Sequence, residues 1–142
     1  YGWRTYNPGR LMSNALRHFE DRVLTLMAEA GYAETRRTHV NLTRHLDLEG
    51  TRITDLAKRA AMTNAAMSEL IDQCVALGLV ERVVDHVDKR ARIVRFTSKG
   101  MNWLTAFGTA VRQAEAEMAL QIGQDGLRQL VMSLNAYGKE VD

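Results

Sequence analysis

Two polar sets stand out for the chemistry their types and spacing allow. One is the run Asp85-His86-Val87-Asp88-Lys89-Arg90-Ala91-Arg92; the other is Thr63, Asn64, Ala65, Met67, Ser68 and Glu69. Arg90 and Arg92 are two apart, so on an extended strand they share one face. Guanidinium groups suit the minor groove of a duplex, where narrow A·T-rich tracts concentrate negative potential. Asp88 is placed to hold Arg90 by a bidentate pair instead of touching a duplex itself. In the second set, Asn64 can grip adenine with two hydrogen bonds and Ser68 can bond several bases. Ala65 or Met67 can meet a thymine methyl. Glu69 repels phosphate unless it accepts a bond from cytosine's amino group, and otherwise points outward to Lys or Arg. This is the chemistry of recognition. Bond-making chemistry has no foothold: there is no Gly-rich phosphate loop, no HExxH and no nucleophile elbow.

The elements that must position these residues run from Ile53 to Gly100. Ile53, Leu56, Ala57 and Ala60 recur at the spacing of a helical face. A break follows at Ala61-Met62, and Thr63 stands where an N-cap belongs. A second helix follows, with Ala66, Leu70, Cys74 and Leu77 along one side and Gly78 as its stop. Leu79 to Val84 and Ile93 to Thr97 read as strands around the polar tip. Helix, turn, helix and basic hairpin make a winged helix-turn-helix, which fits a helix to a major groove and a loop to the neighbouring backbone or minor groove. The first turns of the second helix, Thr63 to Glu69, are then the base-reading positions.

The order ITDLAKRA, then TNAAMSELIDQCVALGLVER, then DKRARIVRFTSKG resembles the MarR (multiple antibiotic resistance regulator) family of bacterial transcription factors. Asp88-x-Arg90 followed by Phe96-Thr97 and Gly100 is the most specific piece, and Gly78 to Arg82 enters the wing as the family does. The resemblance implies a mainly α fold with a minor β part. It joins a winged helix-turn-helix to long N- and C-terminal dimerisation helices, interlaced in a homodimer on a palindromic DNA operator. It also implies a pocket where those helices meet the DNA-binding lobe, often taking a small aromatic acid effector. His18, Arg22 and His39 are the candidate polar contacts there. The family commonly has leucine then glycine where this chain has Ala60-Ala61. If that turn needs a left-handed residue, Ala61 carries strain of about 1–2 kcal/mol.

The flanks fit that plan. Asn7-Pro8 is a helix start, and Met12, Leu16, Phe19, Val23, Leu26, Met27 and Ala30 form a stripe ending at Gly31. A further helix is predicted from Thr35 to Leu48, and Glu49 to Arg52 reads as a turn. After the wing, Thr97 or Ser98 caps a helix with Met101, Leu104, Phe107, Val111, Ala114, Met118 and Ile122 along it, with Trp103 as bulk beside them. Gly123 interrupts, and a last helix carries Leu127, Leu130, Leu134 and Tyr137. The expected division is 1–34, 35–97 and 98–142. A single winged helix needs only about 70 residues, so the outer stripes are expected to bury against a second copy.

Bulk properties set bounds. With 46% hydrophobic and 25% charged residues the composition is ordinary for a soluble globular protein, and no apolar run reaches membrane-spanning length. The net charge of +2 is too small to argue for nucleic acid. Residues 35–97, however, hold 11 Lys/Arg against 8 Asp/Glu, so the whole excess sits in the winged-helix region. Arg36, Arg37, Arg52, Lys58 and Lys89 are the candidate phosphate contacts. One cysteine rules out an internal disulfide and fits a reducing cytoplasm. The chain opens at Tyr1 and not Met, so true N-terminal residues are expected to be missing, and a targeting signal is left open. His18, His39, His45 and His86 are scattered without ligand spacing, so no metal or cofactor is expected. Two other readings stay open: a winged-helix module that contacts another protein, and a redox-responsive regulator acting through Cys74.

Overall fold

Asn7 begins the first long helix: its side chain accepts the Arg10 backbone N–H, and Pro8 occupies the first helical position. The computed structural model describes residues 1–139. After a short 3-10 turn at Gly2–Arg4, the order is α1 (Pro8–Glu29), α2 (Arg37–Thr43), β1 (Thr51–Arg52), α3 (Ile53–Arg59), α4 (Asn64–Ala76), β2 (Val80–Val84), β3 (Arg92–Phe96), α5 (Ser98–Ile122) and α6 (Gln124–Tyr137). The strands form an antiparallel sheet in the order β1-β3-β2, with Val80 opposite Phe96 and Val84 opposite Arg92. This is the mainly α winged helix-turn-helix expected from the spacing.

The turn between α3 and α4 and the turn after α4 are built on one plan. At the end of α4, Gly78 adopts φ 77, its N–H donates to the Val75 carbonyl, and the Leu79 N–H reaches the Cys74 carbonyl. At the end of α3, the Ala61 N–H donates to Lys58 and the Met62 N–H to Ala57. Both are Schellman closures, which place a left-handed residue just past the helix. Glycine takes that conformation without cost at Gly78. Ala61 takes it with a Cβ, at φ 53, and is the one non-glycine residue with positive φ among those described. The conditional strain at Ala61 is therefore present.

One core joins the helix-turn-helix to the long helices. It contains Val23 and Met27 of α1, Leu42 of α2, Leu56 of α3, Met67, Leu70, Ile71 and Cys74 of α4, Val80 and Val94 of the sheet, and Trp103 of α5. Trp103 is central instead of peripheral: it is fully buried, stacks on Phe107 at 5.1 Å and donates its indole N–H to Thr35 Oγ1 at 2.9 Å. The α4 stripe keeps Leu70, Cys74 and Leu77 from the sequence reading but begins at Met67 in place of Ala66. Met67, Leu70, Ile71 and Cys74 face inward at the i, i+3, i+4, i+7 spacing, while Ala66 is exposed.

Two elements differ from expectation. The helix predicted over Thr35 to Leu48 is only Arg37–Thr43, because Thr35 is engaged by Trp103 and Arg36 is the cap. At its far end the Asp47 N–H donates to Thr51 Oγ1, which turns the chain into the sheet. The predicted turn at Glu49 to Arg52 contains β1, with Thr51 opposite Val94 and Arg52 opposite Ile93. Two alternating residues are too few to register as a strand in a sequence.

The outer stripes remain open. Met12, Leu16, Met101, Leu120, Ile122, Leu130, Val131, Met132, Leu134 and Tyr137 are all exposed, and α6 has no buried residue. Among the described residues, no helix is long and apolar enough to cross a membrane.

Candidate nucleic-acid interface

Thr63 caps α4 by accepting the Ala66 N–H at 3.1 Å, which fixes where the helix begins and which side chains its first turn presents. Thr63, Asn64, Ala65 and Glu69 are exposed, and Ser68 is half-buried. Among the described residues Glu69 takes part in no ion pair, so it does not find the Lys or Arg partner that the sequence allowed. Met67 does not belong with this set. It is fully buried in the core, because its position on α4 is in phase with Leu70, Ile71 and Cys74.

The hairpin tip is ordered by two aspartates. Asp88 Oδ1 accepts the Arg90 backbone N–H at 3.0 Å and the Arg90 Nε–H at 3.3 Å. The carboxylate therefore engages Arg90 through one oxygen, with an Asx-type turn in place of a two-oxygen fork. The Arg90 side chain is 94% exposed. Arg90 and Arg92 do not share a strand face, because Arg90 lies in the turn and β3 starts at Arg92. Arg92 is exposed, with its guanidinium donating to the Lys89 and Ala91 carbonyls. Lys89 is exposed.

Asp85 is the residue that sequence reasoning missed. It is buried, its Oδ1 accepts the Val87 N–H at 2.9 Å, and its Oδ2 is paired with Arg52 at 2.6 Å. Val87's N–H, followed by the Arg52 guanidinium, holds the Asp85 carboxyl below the usual carboxylate range. The signal in the sequence was faint: an acid at the exact end of a strand, with no visible partner because Arg52 lies 33 residues away.

Of the other candidate phosphate contacts, Arg36 and Lys58 are exposed. Arg52 is committed to Asp85, and Arg37 is committed to α1, pairing with Asp21 and donating to the Arg17 carbonyl. Each finds a carboxylate within reach inside the fold, a partner the sequence did not reveal.

The three polar residues assigned to a ligand pocket are not brought together. His18 and Arg22 line a groove of about 550 Å³ between α1, α5 and α6, where Arg22 Nε donates to both Glu117 oxygens at 2.5 and 2.9 Å. His39 is elsewhere and buried, its Nδ1 accepting the Arg36 N–H at 3.1 Å. Burial, and then the nearby Arg36 charge, lower its pKa and keep the ring neutral. A separate apolar cavity of about 190 Å³ lies where α1 and α5 meet α2, lined by Phe19, Val40, Phe107 and Val111 with Arg37 and Arg44 beside them. Arg37 and Arg44 are seven apart, a helical spacing that could have been read from the sequence.

Cys74 is fully buried, and burial pushes its thiol up to about 11, which leaves almost no thiolate at neutral pH. Among the described residues no cluster of His, Cys, Asp and Glu could hold a metal ion.

No family model matches the chain, and no curated protein matches it by sequence. Solved structures do match. A MarR-family transcriptional regulator from Rhodococcus sp. RHA1 aligns with a TM-score of 0.74 and 18% identity, over 92% of this chain and 91% of that one. A mutant MarR from E. coli complexed with operator DNA gives a TM-score of 0.74 at 19% identity, over 91% of each chain. CouR from Rhodococcus jostii RHA1, bound to p-coumaroyl-CoA, gives 0.75 at 18% identity, over 97% of this chain and 96% of that one. These likenesses extend over almost the whole length of each molecule, and the chain accordingly has the winged helix-turn-helix fold of MarR-type regulators.

Proposed function

We propose that this protein is a non-enzymatic, sequence-specific DNA-binding regulator of transcription that acts as a homodimer on a palindromic operator. The observation that carries the reading is the pairing of two exposed probes. The first turn of α4 presents Thr63, Asn64, Ala65, Ser68 and Glu69, and the wing presents Arg90, pinned at its backbone but with its guanidinium in solvent. A helix start reads base edges in a major groove, and an arginine on a loop reads the adjacent minor groove. Likeness of fold to structures containing operator DNA, and to the repressor CouR bound to a 23-mer duplex, supports the assignment. The open stripes on α1, α5 and α6 support a second copy as their cover, since an unpaired apolar face of this extent is unfavourable in water.

An effector fits the same reading. The cavity between α1, α2 and α5 is apolar with the exposed Arg44 at its edge, a combination suited to a small aromatic acid. Occupancy there would favour one spacing of the two lobes over another, and operator binding would be relieved by that shift in population.

Selection of bound duplexes from a random pool tests the function. The expected result is a near-palindrome whose half-sites lie about 34 Å, one helical turn, apart, with affinity that falls steeply as salt is added. A protein that enriches no duplex, or captures a protein partner without salt dependence, would overturn the reading in favour of an interaction module.

A further inference from the structure

Arg52 and Asp85 are distant in sequence and meet at the root of the wing. Arg52 Nε and Nη2 donate to Asp85 Oδ2 at 2.9 and 2.6 Å. Arg52 directly precedes α3, the first helix of the helix-turn-helix, and its backbone lies opposite Ile93 of β3. Asp85 is where β2 gives way to the tip. Its backbone N–H donates to the Ala91 carbonyl at 3.2 Å across the neck of the loop, and its Oδ1 accepts the Val87 N–H. The side-chain hydrogen bonds of Asp88, Arg90 and Arg92, by contrast, stay within residues 88–92. They shape the tip but do not tie it to anything else.

We propose that Arg52 and Asp85 are positioning residues for duplex recognition: their pair fixes the wing tip relative to α3 and α4 and so sets where Arg90 stands against the groove. The inference rests on the DNA-binding reading above. Arg52 acts through Arg90 and is not itself a phosphate contact. To reach a phosphate it would have to release both bonds to a carboxylate that is only 8% exposed, stranding that charge. Asp85 carries a negative charge on the part of the molecule that faces an anionic partner. Its electrostatic effect alone is to weaken binding, so an acid here is useful only for what it holds in place. The planar guanidinium suits that task, because its two donors restrict the direction of the pair as well as its length.

The test uses the full chain and the duplex recovered by selection. Asp85→Asn is nearly isosteric and removes a negative charge. A mere surface acid would give tighter binding on its loss, whereas the positioning role gives binding weaker by about tenfold. Arg52→Met keeps the stem, removes the fork and is expected to match it. In an Arg90→Ala background either change should cost less than about twofold more, because residues acting through one contact are not additive. Equal or tighter binding by Asp85→Asn, or losses that multiply with that of Arg90→Ala, would overturn the proposal. A second readout needs no DNA. In the free protein the Asp85 and Val87 amides of Arg52→Met should exchange with solvent at least about tenfold faster, with the α4 and α5 core amides unchanged. Unchanged exchange at those two amides overturns the proposal even where Arg52→Met binds DNA poorly. A wild-type chain that selects no duplex overturns the functional reading itself, and is thereby told apart from failure of the brace alone.

Discussion

Gly100 lies so close to the Leu79 carbonyl that a Cβ at that position would sit 1.9 Å from the oxygen. The same carbonyl accepts the Thr97 N–H at 3.1 Å, so it is held and cannot swing aside. The start of α5 is thereby pressed onto the entry to β2, with no room for any side chain. Gly100→Ala is expected to destabilise the fold by about 3 kcal/mol, as a fall in urea midpoint at constant slope. A midpoint within error of wild type would show that the two segments separate easily.

Ala61 offers the opposite case. Its Cβ is exposed and its backbone is left-handed, so glycine should relieve strain while losing little contact. Ala61→Gly is expected to stabilise by about 1 kcal/mol, the left-handed penalty less the added entropy of the unfolded chain. Thermal melting measures it, and a lower midpoint would contradict the strain.

Arg90→Ala should leave the melting temperature unchanged, since the guanidinium is in solvent and, among the described residues, Asp88 is its one side-chain partner. Duplex affinity should fall by about 1–3 kcal/mol and the salt slope should shrink by about one. Titrations at several salt concentrations report both. Unchanged affinity would take the wing out of recognition.

His39 supplies a pH dependence. Its folded pKa lies below the ordinary 6.5, so the unfolded chain binds the proton more readily. Stability from this group is complete above pH 6.5 and is lost as pH falls through the folded value. Protonation of Nδ1 also abolishes its acceptance of the Arg36 N–H, which opens the first turn of α2. Denaturation at pH 7.5 and 5.5 should show the loss, and His39→Gln should flatten it. A His39→Gln protein with the same slope would place the titrating group elsewhere.

The open face of α6 yields to a charge test. Leu130→Glu with Leu134→Glu is expected to convert the proposed dimer to a monomer in sedimentation, with helical content kept, because both side chains are exposed within one chain and buried only if a second copy covers them. Dimers that survive the double change would move the interface away from α6.

The helix-turn-helix was legible because its signals are local. Thr63 and Gly78 mark the ends of α4 by their own chemistry, and Asn7-Pro8 does the same for α1. What escaped was set by distant partners. Trp103 reads as bulk beside a stripe until Thr35, 68 residues away, is seen to accept its N–H. Met67 reads as a groove contact because its position in the first turn is visible, whereas a stripe drawn back from Leu70 by four residues lands on Ala66, and the buried face takes the three-residue step to Met67. Arg52 and Arg37 look like free cations until Asp85 and Asp21 claim them. The resemblance to MarR regulators pointed to Asp88 and Arg90, and both lie in the tip; Asp85, which anchors that tip, sat in the same run without a pattern to mark it.

Thr97 carries a consequence for how the molecule can move. Its hydroxyl donates to the Gly78 carbonyl at the close of α4 and accepts the Gly100 N–H at the opening of α5. One oxygen atom is thus the knuckle between α4 and the long rod of α5. Any sliding or swivelling of the rod is passed on at that knuckle to the C-terminal end of α4, and through the helix to its exposed first turn.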